Sequence, residues 1–274
     1  MLYLNRPFSI IRKKKLLKRR KQMQMSGDPI ESIVDFLNRI KEVYTDKELL
    51  WFRGQAKDYE KLMPKLLRSD HGLELEESLY YRFQAKAIPM LDKVPNTYFE
   101  WLFVMQHYGV PTRLLDWTTD ALTALAFAVT SRDESHRDDH AVIYCLEPYK
   151  LNNEFNEMYD KPSKLIPNII MNEIHKNFSF DSQNHYRWPI ACIGPLNNSR
   201  IVAQKGVFTL SPVRTKNYSL KGLDHSSGFL TSIEVHKDFI DEIITELAML
   251  GIRENSLYPS LENLSNEINK EFKL

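Results

Sequence analysis

The stretch Gln106-His107-Tyr108-Gly109-Val110-Pro111-Thr112-Arg113-Leu114-Leu115-Asp116-Trp117-Thr118, continuing through Thr119 and Asp120 into the apolar run 121–129, decides how this chain is read. Gly109 with Pro111 just beyond it is a helix stop. The spacing of Phe99, Leu102, Phe103 and Gln106 therefore predicts a helix over 97–107 that ends there. Thr112 to Trp117 reads as a strand. Thr118 and Thr119 can cap a second helix over 120–130, and that helix is apolar almost all round, which places it in the interior. Polar groups crowd the joints between these rigid elements, where sites are commonly built.

Working outward, Ser26-Gly27-Asp28-Pro29 opens a helix with apolar residues at Ile30, Ile33, Val34, Leu37, Ile40 and Val43. Leu49 to Gly54 reads as a short strand, 59–67 as an extended turn around Pro64, and 73–94 as a long charged helix. Downstream, 141–146 is a core strand. The weakly periodic middle, 150–187, carries one short helix near 167–177. Strands follow at 190–193, 207–210 and 230–235, then a helix over 239–250 ended by Gly251. That order predicts an α+β fold with a mixed central sheet flanked by helices, in a single domain over 26–274.

The chain has 274 residues, 43% of them hydrophobic, enough to bury a substantial core. Its two cysteines exclude a disulfide framework and a four-thiolate zinc site. Residues 1–25 hold nine of the 37 Lys and Arg and no acid, leaving 28 basic against 36 acidic residues in the rest. The head is expected to be a solvated basic tail. The body, net −8 by that count, is not the footprint of a general nucleic-acid coat. With no secretory signal pattern and no long apolar run, the expectation is a cytoplasmic protein without membrane contact.

Three segments can carry chemistry. In Trp51-Phe52-Arg53-Gly54-Gln55 an Arg closes an apolar strand beside a Gly. Its fork suits phosphate or carboxylate, and the Gly permits close approach of a ligand. A structural salt bridge at a turn is the alternative. In the central stretch, Asp116 can cap the following helix, pair with Arg113, or face a ligand, and His107 can satisfy a helix end. In Arg200-Ile201-Val202-Ala203-Gln204-Lys205-Gly206, Gln204 offers a neutral donor and acceptor ahead of a strand. Gly-x-x-x-x-Gly-Lys-Ser/Thr, Gly-x-Gly-x-x-Gly, His-Glu-x-x-His and Gly-x-Ser-x-Gly are all absent. A metal-dependent nuclease built on His107, Asp116 and Asp120 is a weaker reading, for want of a ligand cluster.

Taken together these segments resemble the FRG domain family of bacteria, named for its Phe-Arg-Gly motif, with some members linked to defence against phage. Phe52-Arg53-Gly54 matches that motif, the stretch 106–118 matches the longest signature, and 200–209 matches a third block. Leu250-Gly251-Ile252 and Ser256-Leu257-Tyr258-Pro259-Ser260-Leu261 resemble the C-terminal end, with Tyr258 where Phe is usual and Ser260 where an acidic residue is usual, so the resemblance runs over about 30–265. The first motif is also similar to that of ADP-ribosyltransferases. That likeness implies a core of that kind, NAD as substrate and a protein or nucleic-acid acceptor, in a toxin or defence effector under an antitoxin or other regulatory protein.

The resemblance also implies roles. Arg53, Asp116 and Gln204 would be catalytic. Arg53, Gly54, His107, Thr112, Arg113, Trp117 and Thr118 would bind the nucleotide, with Arg53 on its pyrophosphate and Trp117 stacked on nicotinamide or adenine. The chain lacks the Ser-Thr-Ser and Glu-x-Glu elements of those enzymes, so Asp116 or Glu234 would have to supply the carboxylate. The alternative is a non-catalytic nucleotide or phospho-ligand sensor using the same Arg53 pocket.

Overall fold

In the computed structural model, which describes residues 24–25, 27–44, 48–155, 162–181, 186–194, 199–213, 219–224 and 228–272, seven strands make one sheet. They are β1 (Gln24–Met25), β2 (Trp51–Gln55), β3 (Leu114–Thr118), β4 (Ala141–Leu146), β5 (Ile190–Cys192), β6 (Gly206–Leu210) and β7 (Leu230–Val235). Their spatial order is β1-β7-β4-β2-β3-β6-β5. β1 runs parallel to β7 and every other pair is antiparallel, so the fold is α+β with a mixed sheet. The basic head, apart from Gln24 and Met25, lies outside the described residues.

The described helices are α1 (Ile33–Tyr44), α2 (Gly72–Ala87), α3 (Tyr98–His107), α4 (Ala121–Thr130), α5 (Pro148–Glu154), α6 (Asn172–Phe178), α7 (Ser199–Ala203), α8 (Leu220–Leu223), α9 (Ile240–Met249), α10 (Glu254–Leu257) and α11 (Leu261–Phe272). None is long and apolar enough to cross a membrane. The long helix expected over 73–94 stops at Ala87, and a 3-10 turn follows over Ile88–Met90. Pro89 explains the break, because its ring removes an N–H and clashes with the preceding turn. α3 starts on a capping box in which the Thr97 side chain accepts from the Glu100 N–H and Glu100 reaches back. It ends at Gly109, whose φ of +77° suits glycine. α4 is capped by Asp120, which accepts from Leu122 and Thr123, and not by Thr118 or Thr119.

Strand alternation sorts the core. On one face Phe52, Ile143, Cys145, Ile233 and Val235 pack under α1, α4 and α9, and on the same face of the other half Leu114, Phe208, Leu210 and Cys192 pack under α3 and α6. The opposite face holds Trp51, Leu115, Trp117, Val142, Tyr144, Val207 and Leu230. Each buried side chain of this size contributes roughly 1.5–3 kcal/mol relative to exposure.

The sheet is not uniformly joined. β2 pairs with β4 along all five of its residues, and β3 with β6 along all five of its own. Between β2 and β3 there is one register pair, Phe52 with Thr118. Beyond it the two strands part, and the two helical layers part above them. The site occupies that seam.

Candidate functional site

α4 sits almost in contact with the backbone of β2. A Cβ at Gly54 would stand 1.9 Å from the Ala124 carbonyl oxygen and 2.6 Å from the Ala128 nitrogen. Gly54 on the strand and the Ala residues on the helix therefore set the depth of this packing. The glycine expected to admit a ligand instead admits a helix, which holds β2 to its own half of the sheet and leaves the seam open toward β3.

The seam holds a cavity of about 230 Å³. Arg53 stands at its strand side and is partly buried. Its Nη1 donates to the Asp116 backbone carbonyl at 2.7 Å, across the gap where a strand bond to β2 is missing. Its Nε is shut off from solvent without a partner. Burial pushes the guanidinium pKa down, the Asp116 charge works against that, and the nearby Arg68 charge adds to it. An unpaired N–H at this depth is costly, and an incoming anion would satisfy it.

Opposite, the Asp116 side chain is exposed on the face shared with the cavity. Its Oδ2 accepts from Gln106 Nε2 at 2.7 Å. Gln106 Oε1 in turn accepts from the Thr112 hydroxyl at 2.6 Å, and Thr112 Oγ1 accepts from the Leu114 N–H. This chain fixes the carboxylate orientation. Thr112 is wholly buried beneath it and supports Asp116 without lining the cavity. Thr118 does line the cavity, and its hydroxyl accepts from the Asp120 N–H.

The far wall comes from α7 and the C-terminal segment. Lys205 adopts φ 47°, in the left-handed region, and its Nζ meets Asp120 Oδ2 at 2.6 Å. This turn carries Gln204 to the cavity wall, where its Nε2 donates to the Leu257 carbonyl at 2.8 Å. Arg200 lies 4.8 Å over the Tyr258 ring, and Tyr258 meets Phe127 edge-on with centroids 5.6 Å apart. His107 also lines the cavity, with a buried Nδ1 that has no partner. Burial holds its pKa below the usual imidazole value, and the Arg200 charge adds to the effect.

So the seam gathers Arg53, Asp116, Gln204, His107 and Thr118 around one cavity, with the Gly54 backbone on its wall. Thr112, Arg113 and Glu234 lie off the cavity wall, and Trp117 lies on it with its indole turned away. Arg113 is fully buried, with Nε on both Glu76 oxygens at 2.6 and 2.8 Å, Nη1 on the Ser211 carbonyl, and Nη2 on Tyr98 Oη and the Phe178 carbonyl. It pairs with Glu76 rather than Asp116. Burial opposes its charge, but Glu76 and Tyr98 outweigh that and raise its pKa.

Trp117 points to the opposite face of the sheet, into the cluster with Leu115 and Tyr144, and its Nε1 donates to Thr209 Oγ1 at 3.2 Å. Strand alternation forces this once Asp116 faces the cavity. Its indole therefore cannot stack on a ligand in the cavity, whose aromatic wall comes from Tyr258 and Phe127 instead. Glu234 sits on β7, separated from β2 by β4, and is not on the cavity wall.

Arg200, Tyr258 and Phe127 were missed as site residues. Arg200 and Tyr258 lie inside blocks that carried the resemblance, which was the available signal. Phe127 sits in a helix too uniformly apolar to mark a lining face. Among the described residues there is no His, Cys, Asp and Glu group able to hold a metal ion. The assembled chemistry is a cation for an anionic group, a fixed carboxylate, amide groups and aromatic walls.

Residues 48–137 match the family model described as FRG domain, a span that contains the first two blocks of the resemblance and not the two later ones. No curated protein and no solved structure matches the chain.

Proposed function

The chain carries an FRG domain over residues 48–137, and from that premise we propose that the seam binds NAD and transfers its ADP-ribosyl group to a protein or nucleic-acid acceptor. The observation that carries this reading is Arg53, with a buried and unpartnered Nε, on the wall of the same cavity as the oriented Asp116 carboxylate. Arg53 takes the pyrophosphate. The nicotinamide ring lies against the aromatic wall of Tyr258 and Phe127.

Asp116 lies by the ribose. The bond between ribose C1′ and the nicotinamide nitrogen breaks with its electron pair leaving on nicotinamide, and the acceptor nucleophile bonds to C1′ and loses its proton to solvent. The carboxylate stabilises the positive charge that develops at the ribose. A cavity of about 230 Å³ is smaller than the roughly 300–1,000 Å³ of drug-sized ligand sites. It suits one nucleoside half of the dinucleotide, with the phosphates lying at Arg53. The family likeness extends the reading to a cytoplasmic toxin or phage-defence effector, held in check by an antitoxin or other regulatory protein.

One observation favours a second reading. Gln204, the third-block residue, has its amide committed to the Leu257 carbonyl, and a nucleotide sensor without turnover needs no residue there. Incubating the purified protein and a cell lysate with NAD labelled on the nicotinamide and, separately, on the adenylate distinguishes the two. Transfer predicts released nicotinamide and labelled acceptor, both lost in Asp116→Asn. Saturable binding with neither product supports the sensor.

A further inference from the structure

Behind Arg53 the seam opens a second time. A cavity of about 190 Å³ lies between the turn bearing Lys65 and Arg68 and the strand segment 114–116, and Arg53 lines this cavity as well as the front one. Three cationic side chains therefore meet at the rear mouth. The one carboxylate on its wall, Asp116, is already held by the Gln106 amide. Lys65 Nζ donates to the Gly109 carbonyl at 3.0 Å, which keeps the ammonium at the rim with further protons to give. Arg68 is exposed, and among the described residues its guanidinium has no hydrogen-bond or ion-pair partner. It lines the same cavity as Arg53, and its charge helps to lower the Arg53 pKa.

Gathering like charges around a partly buried arginine is unfavourable unless an anion completes the set. Arginine forks are matched to phosphate oxygens. At roughly 30 Å³ per water, the rear cavity has room for a diphosphate and not for a nucleoside beside it.

We propose that Lys65 and Arg68, with Arg53 between the two mouths, form a diphosphate subsite at the rear of the seam. The substrate is then a dinucleotide or nucleoside diphosphate whose phosphates occupy the β2–β3 gap while its nucleoside end fills the front cavity. This deepens the functional reading and rests on it for the identity of the front half. The rear subsite itself depends only on phosphate chemistry. It also gives the site a selectivity, since a nucleoside without phosphates leaves the three cations unpaired.

The test titrates inorganic pyrophosphate, with no nucleoside attached, into the full chain by calorimetry at low ionic strength. Arg68→Gln removes an exposed side chain that has no hydrogen-bond or ion-pair partner among the described residues, so the fold stands, as its melting curve checks. Lys61→Gln, an exposed lysine outside the rear cavity, controls for loss of surface charge. The expected result is saturable binding that Arg68→Gln weakens by about tenfold or more, while Lys61→Gln changes it by less than about threefold. Absence of binding, equal affinity in wild type and Arg68→Gln, or equal loss in both variants overturns the subsite. If the subsite passes and labelled NAD is never cleaved, the transferase reading fails alone. If NAD is cleaved and Arg68→Gln alters neither pyrophosphate affinity nor the KM for NAD, the subsite fails alone.

Discussion

Arg53 on β2 and Arg113 just before the neighbouring β3 stand one at the seam and one beneath the α2–α3 layer, and they show what separates a site from a scaffold. Arg113 is fully enclosed with all its nitrogens engaged by Glu76, Tyr98 and two backbone carbonyls. Arg53 makes one backbone bond, leaves its Nε unpaired and opens on two cavities. Enclosure with every donor used ties α2, α3, α6 and β3 together. Incomplete pairing at an opening leaves interaction energy available to a ligand. Each region should therefore fail differently when changed.

The largest stability effect is expected at the saturated arginine. Glu76→Gln leaves the Arg113 charge buried without its partner and should cost ~3–5 kcal/mol, read as a fall of ~6–20 °C in Tm. The double change Glu76→Leu with Arg113→Met removes both charges and should recover most of that loss. A melt of Glu76→Gln indistinguishable from wild type would break the contrast between the two arginines. Next comes Gly54→Ala. Its Cβ meets the α4 backbone at 1.9 Å, so overpacking should cost ~1–3 kcal/mol or more. A variant as stable as wild type would mean that α4 is not seated by contact at this glycine.

Changes at the seam should leave stability nearly intact and remove function. Asp116→Asn should shift stability by less than ~1 kcal/mol, because Asp120 is the helix cap, Glu76 is the partner of Arg113, and an Asn oxygen still accepts from Gln106. The same change should slow nicotinamide release by ~100-fold or more while ligand binding persists. Normal turnover in this variant would remove Asp116 from the chemistry.

The smallest effect is expected at His107. Its pKa is held below the usual ~6.5 by burial, then by Arg200. The folded state therefore resists taking up a proton that the unfolded chain accepts. The associated stability is present above pH ~6.5 and declines as pH falls from there toward the lowered folded value. His107→Gln should flatten that part of a Tm-against-pH profile, and an unchanged slope would place His107 outside the coupling.

Much of this was legible in the sequence because local signals and tertiary context agreed. The strands 141–146 and 230–235 appear with the bounds their apolar runs suggested, and Gly109 and Gly251 end helices with positive φ as stop residues should. The helix expected over 73–94 is shorter because Pro89 breaks it after Ala87. α11, over Leu261–Phe272, was not anticipated.

At the site, residue type was a better guide than orientation. Arg53, Asp116, His107, Thr118 and Gln204 do share a cavity. Arg113 does not, because the Glu76 and Ser211 contacts hold it just before β3 begins, and Trp117 borders the cavity with its indole turned to the other face by strand parity. Gly54 carried the right signal, close backbone approach, with a helix as the approaching partner. The single β2–β3 register pair, which creates the seam, has no local sequence signature, since it depends on how two distant helices seat.

The most direct test of the central claim is a calorimetric titration of NAD into the wild-type chain and into Arg53→Lys. Lysine keeps the charge and loses the fork, so the ligand-free Tm values should agree within a few degrees. The account predicts saturable NAD binding in wild type and at least about tenfold weaker binding in Arg53→Lys. Equal affinity in the two proteins, or no NAD binding to the wild type at all, would contradict it.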